Sequence, residues 1–388
     1  MSLLSIVKQE NENMGLIQFP FLTERACASI ASHVINLANL DTDRHYHAGR
    51  RENYRLHEGI MAPSGFTKSQ TINFYLGPNG ILSSNTTFPV SVRSTFSAEC
   101  WLGTISNKKT GKDGELITTK GVFSRFKRGM VGADEFMRLK LLAENAISTN
   151  EEVYLLSALD GDTATKDLCS GEITETMIGT TIWPGLRLTN MDTASGLLRR
   201  FVIQIIFPTP TIAIQLKKAG RDPRMKRPIS ECVKNEVAAE VAELYELAKL
   251  IDKIDVSEVE KLIDTTMAVP HFEESLYKRI AVGYAAANGT FPDIIVDDTL
   301  KALLRDECKN RMILRDDPEK EAMYQVVLNE PNPMTKEDLF FFFEKYYQMS
   351  KPRINSLWIK LAVKEQLLMD INGVVVAKPR VQSAKYTF

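Results

Sequence analysis

The chain has 388 residues, which is too long for one ordinary domain and sufficient for two or three. Its 44% hydrophobic and 25% charged content is typical of a globular protein with a substantial core, and its formal net charge of -1 excludes a global attraction for nucleic acid. Scattered cysteines and the lack of a long apolar run argue against a disulfide framework, a zinc site and a membrane span, so we expect a cytoplasmic protein.

The first half of the chain is predicted to form an α/β core. Residues 21–40 have the pattern of an amphipathic helix, within an N-terminal helical segment that we assign to residues 1–45. From there the chain alternates short apolar or β-branched runs with helical patterns, which indicates a layered α/β fold with a parallel sheet. The run RRFVIQIIFPTP predicts a last buried strand that is ended by prolines. We assign residues 46–215 to this core.

The second half is predicted to be helical, with a hairpin near its end. A basic connector, KKAGRDPRMKRP, leads into several helical patterns, and residues 216–312 are assigned to a helical lid. In residues 313–388, three further helices precede two short strands around Asn372-Gly373, the strongest sequence signal for a hairpin. Three helices followed by a hairpin is the pattern of a winged helix, and a plain helical cap with a hairpin is the alternative.

The stretch APSGFTKSQ has a lysine and a serine at the spacing of a phosphate loop. Such a loop needs a strand, a turn with free backbone N–H groups and a helix N-terminus, which YRLHEGIMA, Pro63-Ser64-Gly65 and KSQTINFYL would supply. Ala62 and Thr67 stand where the generic motif has glycine, so alone the stretch is equally consistent with a chance turn. The predicted ATP-binding residues are Ala62, Pro63, Ser64, Gly65, Phe66, Thr67, Lys68, Ser69 and Gln70, with Ser69 also a ligand of Mg²⁺.

A second stretch, GMVGADEF, predicts an apolar strand that ends in Asp134 and Glu135. An ATPase needs such a pair, because Asp134 would bind Mg²⁺ through water and Glu135 would polarise the attacking water. A strand ending in Asp-Glu is common in α/β proteins, but its order and distance after the lysine-serine stretch support the first signal. Together the two stretches favour a nucleoside triphosphatase.

Two more stretches extend this interpretation. TETMIGTTIWPG predicts a buried strand between the other two, where Thr180 or Thr181 would sense a γ-phosphate; ordinary strand threonines are the alternative. SGLLRRFVIQ has Arg199 and Arg200 at the mouth of the last strand, where an arginine can reach the γ-phosphate bound by a neighbouring subunit. A solvated basic pair is the alternative for these arginines.

Taken together, GFTKSQ, GMVGADEF and GLLRRF resemble the Walker A, Walker B and arginine-finger signatures of the minichromosome maintenance (MCM) helicases, which are ring-forming AAA+ ATPases. Two segments between them resemble the family's helix-2 insert and its pre-sensor-1 hairpin. The resemblance covers residues 50–205 by motif, whereas the lid and the C-terminal winged helix agree only in order. It implies an AAA+ P-loop core, ATP and Mg²⁺ as ligands, and a homo-oligomeric, hexameric ring in which Arg200 acts in trans.

The resemblance also implies contact with single-stranded DNA in the ring's channel, through Lys108, Lys109 and Lys112 of the insert and Lys166 of the hairpin. Sequence-independent phosphate contact by such lysines is what translocation requires. We therefore expect an MCM-like helicase or translocase in DNA replication. A replication initiator or loader that uses ATP as a switch is the alternative.

Departures from the family pattern indicate a divergent, minimal member. The sensor-1 asparagine has no obvious counterpart, with Thr181 or Trp183 in its neighbourhood. Phe272 stands at the usual sensor-2 arginine, for which Arg279 of the same predicted helix is a substitute. The N-terminal oligonucleotide-binding domain has no counterpart ahead of the core.

The C-terminal region is expected to bind duplex DNA. Arg353, Asn355, Lys360 and Lys364 would lie on the exposed face of a recognition helix. The aromatic run FFFFEKYY is predicted to pack mainly into the core of this region, because half of its rings must face inward at helical spacing. The ATP site is expected to lie wholly upstream, so that deleting residues from about 316 onward weakens duplex binding but leaves basal ATP hydrolysis largely intact.

Overall fold

The computed structural model describes residues 1–47, 50–93, 103–106, 117–133, 156–168, 171–188, 200–267 and 269–380. The strands of these ranges, in chain order, are β1 Tyr46–His47, β2 Arg50–Arg51, β3 His57–Met61, β4 Val90–Arg93, β5 Gly103–Ser106, β6 Ile117–Lys120, β7 Met130–Ala133, β8 Thr163–Leu168, β9 Gly171–Thr176, β10 Thr181–Leu186, β11 Phe201–Ile205, β12 Leu368–Ile371 and β13 Val374–Ala377.

The α-helices of the same ranges are α1 Leu3–Met14, α2 Leu22–Thr42, α3 Lys68–Leu76, α4 Val122–Arg125, α5 Pro210–Ala219, α6 Glu231–Leu250, α7 Ser257–Thr266, α8 Glu274–Asn288, α9 Asp298–Arg315, α10 Pro318–Asn329, α11 Lys336–Tyr346 and α12 Lys351–Trp358. A π-helical segment, Ile359–Lys364, continues α12, and short 3-10 turns lie at Pro223–Lys226 and His271–Glu273. None of the helices in the described ranges combines the length and apolar character needed to cross a bilayer.

A five-stranded parallel sheet of order β11-β3-β10-β7-β4 forms the centre of the fold, as the α/β pattern predicted. Strands β3, β10 and β11 are buried along their whole length, as expected for a parallel sheet that is covered on both faces. Leu186 pairs with Met61 and Phe201 pairs with His57, so all carboxyl ends lie at one edge. We call this the carboxyl edge and the opposite one the amino edge.

Helix α2 covers one face of the sheet and is more deeply buried than its sequence pattern predicted. It packs on β3 and β11 with one side and on α6 and α8 with the other, so most of its polar residues are buried as well. The buried polar groups find partners: Ser29 Oγ donates to Leu56 O at 2.5 Å, and Asn36 Oδ1 accepts from the Tyr54 N–H at 3.1 Å. The N-terminal segment thus lies between the sheet and the helices that follow the core.

The region from α10 to residue 380, which we call the C-terminal unit, contains three helices and an antiparallel hairpin, as predicted. Asn372 and Gly373 form its two-residue turn with φ angles of 55° and 81°, the left-handed conformation that this pair favours. Thr335 begins α11 with a capping box to Asp338. The predicted core packing of the aromatic run is confirmed for several rings, including Phe343, which is fully buried.

Candidate functional site

The predicted phosphate loop, Ala62–Thr67, which we call the phosphate loop for its sequence pattern alone, lies at the carboxyl edge of the sheet, between β3 and α3. Its first residue is fixed by a hydrogen bond from the Ala62 N–H to Leu186 O at 3.2 Å. Gly65 has a φ of 81°, and a Cβ there would meet no atom within 4 Å, so only the backbone conformation calls for glycine. Thr67, where the generic motif has glycine, also has a positive φ, of 39°. The backbone is therefore glycine-like at a position where this chain has threonine.

Lys68 is the first residue of α3, and its side chain turns back over the loop. Its Nζ donates to Ala62 O at 2.6 Å and to Pro63 O at 2.9 Å. The ammonium is therefore held beside the backbone of the phosphate loop. Because α3 also has no acidic residue in its first turn, its N-terminus is electrostatically suited to bind an anion.

Helix α3 approaches the sheet closely at Gly132 of β7. A Cβ at Gly132 would overlap Ile72 Cγ2 of α3, so glycine allows the helix to pack here. The next residues in the chain after β7, Asp134 and Glu135, lie outside the described residues. What the structure fixes is that the strand leading to them ends at the same edge as β3, with β10 between the two strands.

The predicted sensor residue Thr181 lies far from the phosphate loop, and this interpretation is wrong. Thr181 begins β10 rather than ending it, and Leu186, five residues later, is the residue beside Met61. At about 3.3 Å per residue, Thr181 is about 16 Å from the carboxyl edge. Its Oγ1 is buried and lies 2.8 Å from Nδ1 of His33, whose pKa burial lowers to about 3, so the pair is a neutral contact of the core.

The sequence interpretation failed here because TETMIGTTIWPG contains parts of two strands, β9 and β10, separated by a turn at 177–180. Beyond the carboxyl end of β10 the chain continues with Arg187 and Leu188. The polar residues that come next in the chain, Thr189 and Asn190, lie outside the described residues. The residues at the carboxyl end of β10 follow the end of the apolar run IWPGL, and that end of the run is the sequence feature that would have located them.

Arg200 lies at the amino edge, immediately before β11. Phe201 pairs with His57, five residues before Ala62, so about 16 Å or more separates Arg200 from the beginning of its own phosphate loop. Its guanidinium forms a bidentate contact with Asp160, in which Nε donates to Oδ1 at 2.6 Å. Arg200 therefore cannot reach the γ-phosphate position of its own loop.

A cavity of about 510 Å³ at the amino edge brings Arg200 together with Arg279 and Phe272. Arg279 donates from Nη1 to Arg55 O at 3.0 Å. Burial lowers the pKa of Arg279 to about 10, which leaves it cationic at neutral pH. Phe272, which we placed at the sensor-2 position from the sequence, is 63% exposed in the same cavity. We call this cavity the amino-edge cavity.

A second cavity, of about 380 Å³, lies beside the phosphate loop, and no sequence signal indicated it. We call it the loop pocket; it is within the size range of small-molecule sites. Its walls are largely apolar and come from the segment after α1, the phosphate loop and α3, helix α5 with the turn after it, and α11. Lining residues include Ile17, Phe19, Phe66, Thr67, Phe74, Leu216 and Tyr346.

The C-terminal unit contacts the phosphate loop directly. Phe66 is buried, and its ring centroid lies 5.5 Å from that of Tyr346 in α11. The expectation that the ATP site lies wholly upstream of residue 316 stays a prediction, but deleting the unit would expose Phe66 and remove one wall of the loop pocket. Helical periodicity could not reveal this contact, because it shows which rings face inward but not what they meet.

The predicted duplex-binding residues divide into two pairs. Arg353 donates to Glu319 at 2.5 Å and to Asp317 at 3.2 Å, and Lys360 Nζ lies 3.2 Å from the same Asp317. Both cations therefore have acidic partners at the beginning of α10, while their side chains remain 38% and 41% exposed, so their duplex contact stays a prediction. Asn355 and Lys364 are exposed, as predicted.

The predicted channel residues are only partly described. Strands β5 and β6 pair antiparallel where the insert was predicted, but Lys108, Lys109 and Lys112 lie outside the described residues. Strands β8 and β9 form the second predicted hairpin, with Lys166 in register with Ile173.

No protein-family model matches the chain, and no curated protein sequence is significantly similar to it.

Proposed function

We propose that this chain is an MCM-like AAA+ ATPase that couples ATP hydrolysis to movement along DNA or to its unwinding, in the replication of a genome or mobile element. One observation carries the proposal: the phosphate loop follows β3, Asp134 and Glu135 follow β7 in the chain, and β10 lies between these strands. Lys68 and the loop would bind the phosphates of ATP. Ser69 and Asp134 would hold Mg²⁺, and Glu135 would polarise the attacking water.

The strand order supports this assignment independently of the motif. After β3 the chain crosses to β4 at one end of the sheet, returns through β7 and β10, and then crosses β3 to reach β11. Ligands of open α/β sheets bind at the carboxyl edge where the strand order reverses in this way. A γ-phosphate sensor would then belong to the chain just after Leu186, and we propose Asn190, the first asparagine after β10, for that role.

The position of Arg200 supports action in an oligomeric ring. Arg200 and Arg279 line one cavity at the edge opposite their own phosphate loop, so only the nucleotide of a neighbouring subunit is within their reach. An arginine supplied in trans stabilises the charge that develops on the transferred phosphoryl group. The proposed site would therefore be completed only in an oligomer.

DNA contact would come from the two hairpins and from the C-terminal unit. Lys166 and the lysines of the insert would track a single strand, with Asn355 and Lys364 left as the exposed candidates for duplex contact. The π-helical continuation also exposes Val363, so this surface is not purely basic.

A second candidate, an initiator or loader that uses ATP as a switch, is favoured by the contact between Phe66 and Tyr346. This contact links the proposed duplex-binding unit to the phosphate loop within a single subunit, so a switch would not require a ring of subunits. Strand separation on a forked duplex distinguishes the two functions, because a switch would bind the fork without separating it.

ATP hydrolysis, measured with and without single-stranded DNA, tests the proposal. Lys68→Ala should abolish most turnover, and Glu135→Gln should bind ATP without hydrolysing it. Phe341→Ala, a change of an exposed ring away from the site, is the matched control and should behave as the wild type. Turnover at the wild-type rate in both site variants would refute the assignment.

A further inference from the structure

The loop pocket has one wall that does not belong to the α/β core. Three of its walls come from residues 11–23, from residues 65–75 and from residues 213–225, and the fourth is Tyr346 of the C-terminal unit. A ligand that extends from the phosphate loop into this pocket therefore meets the C-terminal unit directly.

Tyr346 is held in place by its neighbours in the C-terminal unit. Its ring centroid lies 4.9 Å from that of Phe342, and Lys345 Nζ lies 5.2 Å from the ring centroid. Phe342 is buried in the unit's core, whereas Tyr346 is half-buried and reaches across to Phe66. The ring is thus anchored on one side and available to the pocket on the other.

A second contact joins the C-terminal unit to another wall of the loop pocket. Glu330 accepts hydrogen bonds from the N–H and hydroxyl of Thr211, in the first turn of α5, and Asn332 Nδ2 donates to the same hydroxyl at 2.8 Å. Helix α5 contributes Ala213 and Leu216 to the pocket. The C-terminal unit therefore contacts two walls of the loop pocket, the phosphate loop and α5.

We propose that the C-terminal unit completes the nucleotide site, with Tyr346 packing against the base or ribose of a nucleoside triphosphate bound at the phosphate loop. This inference rests on the proposed function. The apolar walls fit the nucleoside part of the ligand, while the loop and Lys68 fit its phosphates. Coupling between two binding sites is reciprocal. If a nucleotide changes the affinity of the C-terminal unit for duplex DNA by some factor, bound duplex changes the affinity for the nucleotide by the same factor.

Competition binding tests the role of Tyr346. A fluorescent ATP analogue is displaced by ATP or by inorganic triphosphate, which has the phosphates but no nucleoside. Tyr346→Ala and Tyr346→Leu should weaken ATP binding roughly tenfold, the order expected for the loss of one aromatic contact to a base, and leave triphosphate binding unchanged. The leucine preserves apolar volume in case alanine destabilises the fold, and Tyr346→Phe should bind both ligands as the wild type does.

Phe341→Ala is the matched control, since this ring of the same helix is 63% exposed and outside the loop pocket. Unchanged ATP binding in both Tyr346→Ala and Tyr346→Leu, or an equal loss for ATP and triphosphate, would overturn the inference. Failure of the proposed function looks different: the wild type would bind neither ligand, or Lys68→Ala would bind both as tightly as the wild type.

Discussion

Thr67 is a β-branched residue in a backbone conformation that glycine favours. Its φ of 39° costs on the order of 1–3 kcal/mol for a residue of this type, and its Oγ1 is buried without a hydrogen-bond partner among the described residues. Strain of this kind persists where the surrounding structure or function requires the conformation. Here the conformation belongs to the proposed phosphate loop, at a position where the generic motif has glycine.

Two opposite substitutions measure this strain. Thr67→Gly should stabilise the protein by about 1 kcal/mol, because glycine adopts this conformation without a steric penalty. Gly65→Ala should destabilise it by about 1 kcal/mol through the backbone alone, since the new methyl group meets no atom within 4 Å. Urea unfolding measures both changes, and a Thr67→Gly variant less stable than the wild type would contradict this account of the loop.

Glu58 is an unusual residue of β3, because it is fully buried and neither carboxylate oxygen has a hydrogen-bond partner among the described residues. Burial raises the pKa of Glu58 well above its usual range, and the nearby Asp306 and Glu307 add to the effect, while Arg25 opposes it. The folded state therefore retains the proton at a pH where the unfolded chain has lost it. Consequently the free energy of unfolding falls as pH rises above about 4.5, the unfolded pKa.

Glu58→Gln should remove this pH-dependent cost. The variant should be more stable than the wild type by at least about 1 kcal/mol at pH 7, with a difference that shrinks toward zero as the pH falls to about 4.5. Urea unfolding across this pH range measures the difference, with Glu243→Gln, a change of an exposed residue, as the control. A stability difference independent of pH would show that Glu58 is ionised in the folded protein.

Among the elements, those with a continuous local signal agree with their sequence predictions. The apolar runs before Ala62 and Asp134 and the helix that begins at Lys68 are where their patterns indicated. Strand β10 was misread because its first residue, Thr181, is polar yet buried, and its partner His33 lies 148 positions away in the chain. Local periodicity contains no information about such a partner, so the sensor prediction failed.

Helix α12 and its π-helical continuation contain two kinds of cation, one paired with carboxylates and one exposed, and substituting each should have a different effect. Arg353→Ala should lower the stability of the C-terminal unit, since it leaves Glu319 and Asp317 without this partner. Lys364→Ala should leave stability unchanged, weaken duplex binding and reduce the slope of log affinity against log salt by about one, as for one lost phosphate contact. Asn355→Ala is the uncharged comparison and should not change the slope.

Thermal unfolding and fluorescence anisotropy over a salt series measure these effects. A Lys364→Ala variant with wild-type affinity and slope would mean that this face of α12 does not bind the duplex.

In the whole molecule, the carboxyl and amino edges of one sheet have different proposed tasks. The carboxyl edge has the phosphate loop, and the amino edge has Arg200 and Arg279. The order of the motifs in the sequence was sufficient to propose an arginine that acts in trans. The contact of the C-terminal unit with Phe66, in contrast, arises only from tertiary packing. Contacts between distant parts of the chain are the portion of this site that local patterns could not reveal.

We propose that the site is completed by a neighbouring subunit, and subunit mixing tests this arrangement most directly. Lys68→Ala and Arg200→Ala should each be nearly inactive in ATP hydrolysis, with Arg200→Ala still able to bind ATP. Mixing the two should restore part of the turnover, because some interfaces then combine an intact Lys68 with an intact Arg200. Absence of rescue at every mixing ratio, or full turnover by a monomer, would contradict the account.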